Sequence, residues 1–205
     1  QTEINQRVNP YFVENIDDLP YPNLDVFELN LYKPSIRRDL FVYPFVPMIG
    51  SRGCPNNCCF CISGNLIKYR RHSFEYIVGA VKHLKNKYHI KSVIFYDDNL
   101  FSNSSNVNDE LCIFADLFLK SVPDVLWQIE IRPDVFSQIS NHTFRFIRSC
   151  GCRQMNIGIE KSSPDLLTSL YKQYDAKQLM NACQRAINNC PDMRLAGTFI
   201  LGGPN

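Results

Sequence analysis

Short apolar runs alternate with amphipathic stretches along most of the chain. The apolar runs are rich in β-branched and aromatic residues and end in glycine or polar turn formers, which is typical of strands. Five of them are present: FVPMIG (45–50), KSVIFYDDN (91–99), VLWQIEIRPD (125–134), RQMNIGIE (153–160) and RLAGTFILGG (194–203). The stretches between them repeat apolar residues at helical spacing, and they predict helices over 73–90, 108–122, 141–151 and 175–189.

Residues with capping chemistry stand at the ends of these stretches. Ser73 and Asn108 are predicted N-caps, because a short polar side chain can accept a hydrogen bond from a free backbone N–H. Gly151 closes the third helix, since glycine readily adopts the left-handed conformation that ends helices. Ser163 and Pro164 are predicted to begin a further, brief helix.

The alternation of strands and helices predicts an α/β fold with a parallel sheet and helical crossovers. Polar residues lie at or just after the carboxyl ends of several predicted strands: the cysteine-rich loop at the first, Asp97 to Asn99 at the second, Arg132 at the third and Glu160 at the fourth. Ligands bind at the carboxyl edge of parallel sheets and barrels. This edge is therefore the predicted site.

Composition favours a globular domain over a nucleic-acid-binding or membrane-spanning protein. The chain has 205 residues, 45% hydrophobic and 20% charged, and a net charge of +2. This length fits one domain with a sizeable core. Scattered lysines give no support for nucleic-acid binding. No apolar run approaches the roughly 18 residues of a membrane span, and no signal peptide opens the sequence, so we expect a cytoplasmic protein.

The first 40 residues differ from the rest. They lack a sustained period and contain the segment DDLPYPNLD (17–25), whose prolines favour extended and turn conformations. We interpret residues 1–40 as a linker or approach segment that lies against the domain, and residues 41–205 as the core domain.

Cysteine usage points to a metal or cluster. Nine cysteines without a secretory signal fit a disulfide framework poorly, and they favour a metal site in a reducing compartment. Cys54, Cys58 and Cys61 stand in a C-x3-C-x2-C spacing in the loop after the first predicted strand. Thiolates are the ligands of iron–sulfur clusters, and three of them would leave one iron of a four-iron cluster open to a small molecule.

Structural zinc is the alternative interpretation. Cys58 and Cys61 form a C-x2-C pair, and Cys150 and Cys152 could supply a second half-site. That half-site has an unusual gap and is predicted at the opposite end of the sheet, at the start of the fourth strand. Cys59 has no predicted role.

The segment SRGCPNNCCFC (51–61) resembles the signature of the radical S-adenosylmethionine superfamily. Further similar segments are YRRHSFEYIV (69–78), FYDDNLF (95–101), IEIRPD (129–134), NIGIEKSSPDLL (156–167) and GTFILGGPN (197–205). The segment 17–25 resembles the lead-in to the catalytic domain in the subgroup that carries a cobalamin-binding domain upstream. The resemblance runs from about residue 17 to residue 205.

The resemblance implies a partial (β/α) TIM-like barrel with about five parallel strands present; we expect the chain to stop before the sixth strand. It implies that Cys54, Cys58 and Cys61 hold a four-iron, four-sulfur cluster whose open iron chelates S-adenosylmethionine. Reductive cleavage would then give a 5′-deoxyadenosyl radical that abstracts hydrogen from a substrate. An electron donor such as flavodoxin or ferredoxin is the implied partner.

The resemblance also implies contacts of S-adenosylmethionine with single residues. Phe60 would lie along the adenine, Arg132 would pair with the methionine carboxylate, and Glu160 would bind the ribose or the amino group. Asp98 and Asn99 occupy the position of a Gly-Gly-Glu segment that contacts the amino group in many relatives. Leu201 and Gly202, with Gly203, would let the backbone approach the adenine.

Each of these residues has a simpler interpretation. Phe60 could be core, the Asp97–Asn99 run could be turn and cap residues, Arg132 and Glu160 could pair with each other, and the final glycines could form an ordinary turn. Two functions of different class therefore remain. One is a radical enzyme of unknown substrate, for which a cobalamin-dependent methylation or cyclisation in a longer protein is an open reaction. The other is a non-catalytic module that binds zinc or an inert cluster for assembly or regulation.

Overall fold

A computed structural model describes residues 13–32, 42–63, 67–102, 104–161, 163, 167, 170–172 and 174–202. Its strands are β1 (Phe45–Met48), β2 (Ser51–Arg52), β3 (Arg70–Arg71), β4 (Ser92–Phe95), β5 (Leu126–Ile131), β6 (Cys152–Glu160) and β7 (Arg194–Phe199). Its α-helices are α1 (Phe74–Tyr88), α2 (Val107–Ser121), α3 (Pro133–Ser137), α4 (Asn141–Ser149) and α5 (Ala176–Asn189). Short 3₁₀ turns cover Ile16–Asp18, Leu29–Leu31 and Ser104–Asn106.

Five strands form one parallel sheet in the order β1-β4-β5-β6-β7. This order follows the chain, and a helix fills each described crossover, so the predicted α/β class with five parallel strands is confirmed. Within the described residues the sheet does not close into a barrel. The remaining strands, β2 and β3, form a small antiparallel ribbon that the sequence pattern did not predict, because each has only two residues.

The two faces of the sheet have different chemistry. On the helix side, alternate strand residues such as Phe95, Trp127 and Met155 are completely buried in the main apolar cluster. On the other side Gln128 is paired in register with Gln154, and Glu130 with Asn156. Parallel sheets are ordinarily apolar on both faces. The polar face therefore marks the side of the sheet that carries a ligand site.

The core is centred on Phe114 of α2. Its ring centroid lies 5.0–5.7 Å from those of five other aromatic residues, Phe74, Phe95, Phe101, Phe118 and Trp127. Most of these pairs are edge-on or tilted, the arrangement that aromatic quadrupoles favour. This cluster joins α1, α2, β4 and β5, and so fixes the position of the strand ends that carry the site.

The predicted helix ends are partly confirmed. Ser73 Oγ accepts a hydrogen bond from Tyr76 N at 3.0 Å, as expected of an N-cap, and Gly151 has φ +99°. The prediction for Asn108 is wrong: α2 begins at Val107, and the Asn108 amide oxygen accepts from Ser140 N and Thr143 Oγ1, each at 2.8 Å. An amide can bridge two elements, and here it joins α2 to the start of α4. The helix predicted from Ser163 and Pro164 lies largely outside the described residues.

The described part of the first 40 residues contacts α1. Asp17 accepts from Ser73 N at 3.1 Å, Tyr76 donates to Leu19 O at 2.9 Å, and Leu24 N donates to the Tyr88 hydroxyl at 2.8 Å. The domain boundary near residue 40 stays a prediction, because residues 33–41 lie outside the described part of the chain. None of the described helices is long and apolar enough to cross a membrane.

Replacing Phe114 with alanine should lower the free energy of unfolding by about 3–5 kcal/mol, because the cavity would lie amid five aromatic rings. Urea denaturation measures this. Ile113→Ala is the matched control, since the neighbouring Ile113 side chain is 53% exposed and its loss should cost no more than about 0.5 kcal/mol. Equal losses in the two variants would contradict the central role of Phe114.

Candidate functional site

A cavity of about 220 Å³ opens at the carboxyl edge of the sheet. Residues from four strand ends and from the cysteine-rich loop line it, as the sequence predicted for this edge. Its lining residues are Cys54, Cys58, Phe60, Cys61, Asp97, Asp98, Glu130, Ile131, Arg132, Gly158, Glu160, Lys172 and Thr198.

The cysteine-rich loop depends on a close backbone approach. Gly53 has φ +73°, and a Cβ at this position would lie 2.4 Å from the carbonyl oxygen of Ile67, so only glycine fits. After this turn Cys61 N donates to Cys58 O at 3.0 Å, and Cys59 N donates to Leu170 O at 3.1 Å. The loop thereby directs three of its four cysteines to the cavity. The Cys59 side chain is exposed and does not line it.

The three cavity cysteines are donors of the kind that hold an iron–sulfur cluster. A zinc ion takes each thiolate at about 2.3 Å, but no three Cys, His, Asp or Glu side chains of the described residues converge closely enough to hold one ion. A four-iron cluster binds its thiolates on different irons and so spreads them apart. Three side-chain nitrogens also lie near the sulfurs: those of Asn56 and Asn99 near Cys54, and that of Arg132 near Cys58.

Arg132 directly follows β5 and lies between a carboxylate and a sulfur. Its Nε is 3.0 Å from Asp134 Oδ1, and its Nη1 is 3.6 Å from Cys58 Sγ. The Nε contact is an attraction of charges rather than a well-aligned hydrogen bond. Burial opposes the positive charge, but the Asp134 carboxylate and Cys58 together raise the pKa of Arg132 above its ordinary value. The guanidinium stays charged and keeps further N–H groups.

Glu160 ends β6 and pairs with Lys172. Its Oε1 lies 3.0 Å from Lys172 Nζ, and both side chains are largely shielded from solvent. Glu160 has φ +63°, a conformation that is uncommon outside glycine and is frequent at functional sites. The predicted alternative, an ion pair between Arg132 and Glu160, is wrong, because each of them has a different partner.

The run from Asp97 to Asn99 divides into three different environments. Asp97 is buried and lines the cavity, and its carboxylate accepts from Gly50 N and Ser51 Oγ at the start of β2; burial raises its pKa. Asp98 is exposed and lines the cavity. Asn99 is buried, with its amide nitrogen 3.6 Å from Cys54 Sγ, and it does not line the cavity.

The remaining predicted contacts lie in two places. Phe60 is 45% exposed and lines the cavity with Lys172 Nζ 6.0 Å from its ring centroid, so the interpretation as core is wrong. Leu201 is 93% exposed, and Gly202 has φ +75° and accepts a hydrogen bond from Lys161. Neither of these two lines the cavity, and Gly203 lies outside the described residues.

The sequence analysis missed Glu130, Lys172 and Thr198 as lining residues. Glu130 Oε1 accepts from Asn156 Nδ2 at 2.6 Å, and burial raises the pKa of this carboxyl group. A signal was available, because residues two apart on a strand share a face. Glu130 therefore had to lie on the same face as Arg132. Lys172 gave no such signal, since it reaches the cavity from a loop.

Cys150 and Cys152 do not contribute to the site. Both are buried around the start of β6, at the sheet edge opposite the cysteine-rich loop. Burial raises the pKa of both thiols, which holds them neutral. Because they lie at the opposite edge of the sheet, they provide no second half-site for a zinc ion on Cys58 and Cys61.

Curated relatives match most of the chain. An uncharacterized methyltransferase of Pyrococcus horikoshii is 28% identical over 94% of this chain and 39% of its own length. A tRNA-2-methylthio-N(6)-dimethylallyladenosine synthase of Clostridium perfringens is 23% identical over 74% of this chain and 34% of its own. A bacteriochlorophyllide d C-12(1)-methyltransferase of Chlorobaculum tepidum is 24% identical over 77% and 33%. The chain thus spans about a third of the length of these relatives.

Solved structures share the fold. The cobalamin-dependent S-adenosylmethionine radical enzyme OxsB has a TM-score of 0.61 at 16% identity, over 77% of this chain and 24% of its own. The radical S-adenosylmethionine methyltransferase TsrM from Kitasatospora setae has 0.54 at 15% identity, over 76% and 28%. The sheet is thus a partial TIM-like barrel of the type found in these enzymes.

The family assignment comes from the sequence profile of the Radical SAM superfamily, which matches residues 48–205. The match includes all three cavity cysteines and each strand from β2 to β7. Membership implies a four-iron, four-sulfur cluster and S-adenosylmethionine as cofactors. The chain belongs to the radical SAM superfamily.

Proposed function

We propose that this chain is the radical-generating domain of an enzyme that binds a four-iron, four-sulfur cluster on Cys54, Cys58 and Cys61. S-adenosylmethionine would bind in the adjoining cavity. When bound and reduced, these cofactors supply a 5′-deoxyadenosyl radical that abstracts hydrogen from a substrate. The protein's own residues bind and orient the cofactors and exclude water.

One observation supports this proposal above the others. Three cysteines from a single loop line the same cavity as Arg132, and a fourth cysteine of that loop does not. A cluster held by three thiolates keeps one iron accessible, and the cavity holds charged groups of both signs for an amino acid. No observation favours the alternative, a structural zinc module, since no three candidate ligands of the described residues converge on one point.

The charges in the cavity support specific roles. The N–H groups of Arg132 that Asp134 and Cys58 leave available suit the methionine carboxylate, because a carboxylate accepts a charge-assisted pair. The exposed carboxylate of Asp98 suits the amino group, and Phe60 offers an exposed ring face for the adenine. Glu160 would reach the ribose or the amino group while Lys172 holds it in position. The contacts assigned to Asn99, Leu201 and Gly202 stay predictions.

The longer protein's reaction is also a proposal. We infer a methyl transfer that involves cobalamin bound outside the described residues. Support comes from the relative named as a methyltransferase and from the fold shared with OxsB, described as cobalamin-dependent, and with TsrM. The approach segment over 1–40 would lead from that region into the core at 41–205. Flavodoxin or ferredoxin would supply the electron.

Replacing Cys54, Cys58 or Cys61 singly with serine should prevent stable cluster assembly, because the two remaining thiolates do not suffice to hold the cluster. Iron and sulfide content and visible absorption after anaerobic reconstitution measure this. Cys59→Ser is the matched control in the same loop, and it should bind iron like the unmodified protein, since Cys59 does not line the cavity. Equal iron loss in all four variants would contradict the assignment of ligands.

The reconstituted, reduced protein should convert S-adenosylmethionine into methionine and 5′-deoxyadenosine in equal amounts. Liquid chromatography with mass spectrometry detects both products. Cys58→Ser, which removes a proposed ligand, should form neither. A colourless, zinc-loaded protein that forms no 5′-deoxyadenosine would overturn the proposed function.

Arg132→Met should weaken the binding of S-adenosylmethionine about 10- to 150-fold, because a hydrogen bond to a charged group contributes about 1.5–3 kcal/mol. Equilibrium dialysis against the cofactor measures this at equal iron content. Arg148→Met serves as the control, because Arg148 pairs with Asp192 away from the cavity. Unchanged binding in Arg132→Met would refute the carboxylate contact.

A further inference from the structure

Two amide side chains from different elements converge on a single sulfur. Asn56 Nδ2, in the cysteine-rich loop, lies 3.4 Å from Cys54 Sγ. Asn99 Nδ2, in the loop after β4, lies 3.6 Å from the same sulfur. We infer that Asn56 and Asn99 raise the reduction potential of the cluster by donating N–H groups to Cys54. This inference rests on the proposed cluster.

The burial of Asn99 requires a partner. Its side chain is only 2% exposed, and a buried amide N–H without an acceptor would cost free energy. Among the described contacts, Cys54 Sγ is the acceptor for this group. Asn99 therefore lies too deep to act as a surface turn residue, and its amide faces the cysteine rather than the cavity.

The direction of these hydrogen bonds, from nitrogen to sulfur, suits a negatively charged sulfur. The amide nitrogen of asparagine only donates, and a neutral thiol is a weak acceptor. A thiolate bound to a cluster carries negative charge and accepts more strongly. Two donors on one sulfur therefore fit a cluster ligand. Arg132 Nη1 adds a full positive charge 3.6 Å from Cys58 Sγ, so a second ligand has a similar environment.

These hydrogen bonds affect how easily the cluster accepts an electron. Reduction adds one negative charge to the cluster and its thiolates, so N–H donors stabilise the reduced form more than the oxidised form. Hydrogen bonds to the sulfurs are a known determinant of cluster potential. Asn56 and Asn99 would thus make the cluster easier to reduce. Asn56 and Asn99 are positioning residues rather than catalytic ones, because they contact Cys54 and act on the cluster only through it.

Redox titration of the reconstituted protein without S-adenosylmethionine tests the inference. Asn56→Leu and Asn99→Leu remove the donors while keeping size and neutrality. Each should lower the midpoint potential, so that the ratio of reduced to oxidised cluster at a fixed potential falls at least about three-fold, as expected for the loss of a net hydrogen bond. Asn57→Leu is the matched control, because Asn57 is exposed in the same loop. Its potential should be unchanged.

Unchanged potentials in both variants, or an equal shift in Asn57→Leu, would overturn the inference. A second measurement needs no variant. In the unmodified protein, exchange into D₂O should shift the iron–thiolate stretching bands in resonance Raman spectra, because N–H···S bonds become N–D···S bonds. Bands that do not move would also overturn it. Failure of the unmodified protein to assemble a cluster would instead refute the proposed function, and this inference with it.

Discussion

Parallel hydrogen bonding between neighbouring strands is the constraint on which the site depends. When β1, β4, β5 and β6 pair in parallel, all of them end at the same edge of the sheet. Residues more than a hundred positions apart, such as Cys54 and Glu160, therefore line one cavity. The aromatic cluster around Phe114 holds the sheet against its helices, and thus holds this edge in place.

The charged side chains that line the cavity differ in the partners they have. Arg132 forms an ion pair with Asp134, and Glu160 forms one with Lys172. Glu130 has only the amide of Asn156 as a described hydrogen-bond partner, and burial raises its pKa. Such a carboxyl group is costly to bury without a cation. These groups suit the proposed ligand, S-adenosylmethionine, which carries both a carboxylate and hydrogen-bond donors.

Sequence reasoning predicted the fold well because its signals were local and repeated. Alternating strand and helix patterns gave the five parallel strands, and the capping of α1 by Ser73 followed from a single side chain. The errors had a common cause. Asn108 accepts a hydrogen bond at the start of α4 instead of capping its own helix, and Arg132 pairs with Asp134 instead of Glu160. Which partner a side chain takes depends on distances in space, which the sequence pattern does not give. The ribbon of β2 and β3 was too short to give a periodic signal.

The sequence by itself determined the family signature: three cysteines at fixed spacing, and polar residues at the ends of several strands. Those features are encoded in neighbouring residues, so no tertiary information was needed to find them. Only the tertiary structure decided which polar groups meet. It brought Lys172 to Glu160 and Asn99 to Cys54, because strand register and loop packing set contacts between residues far apart in the chain.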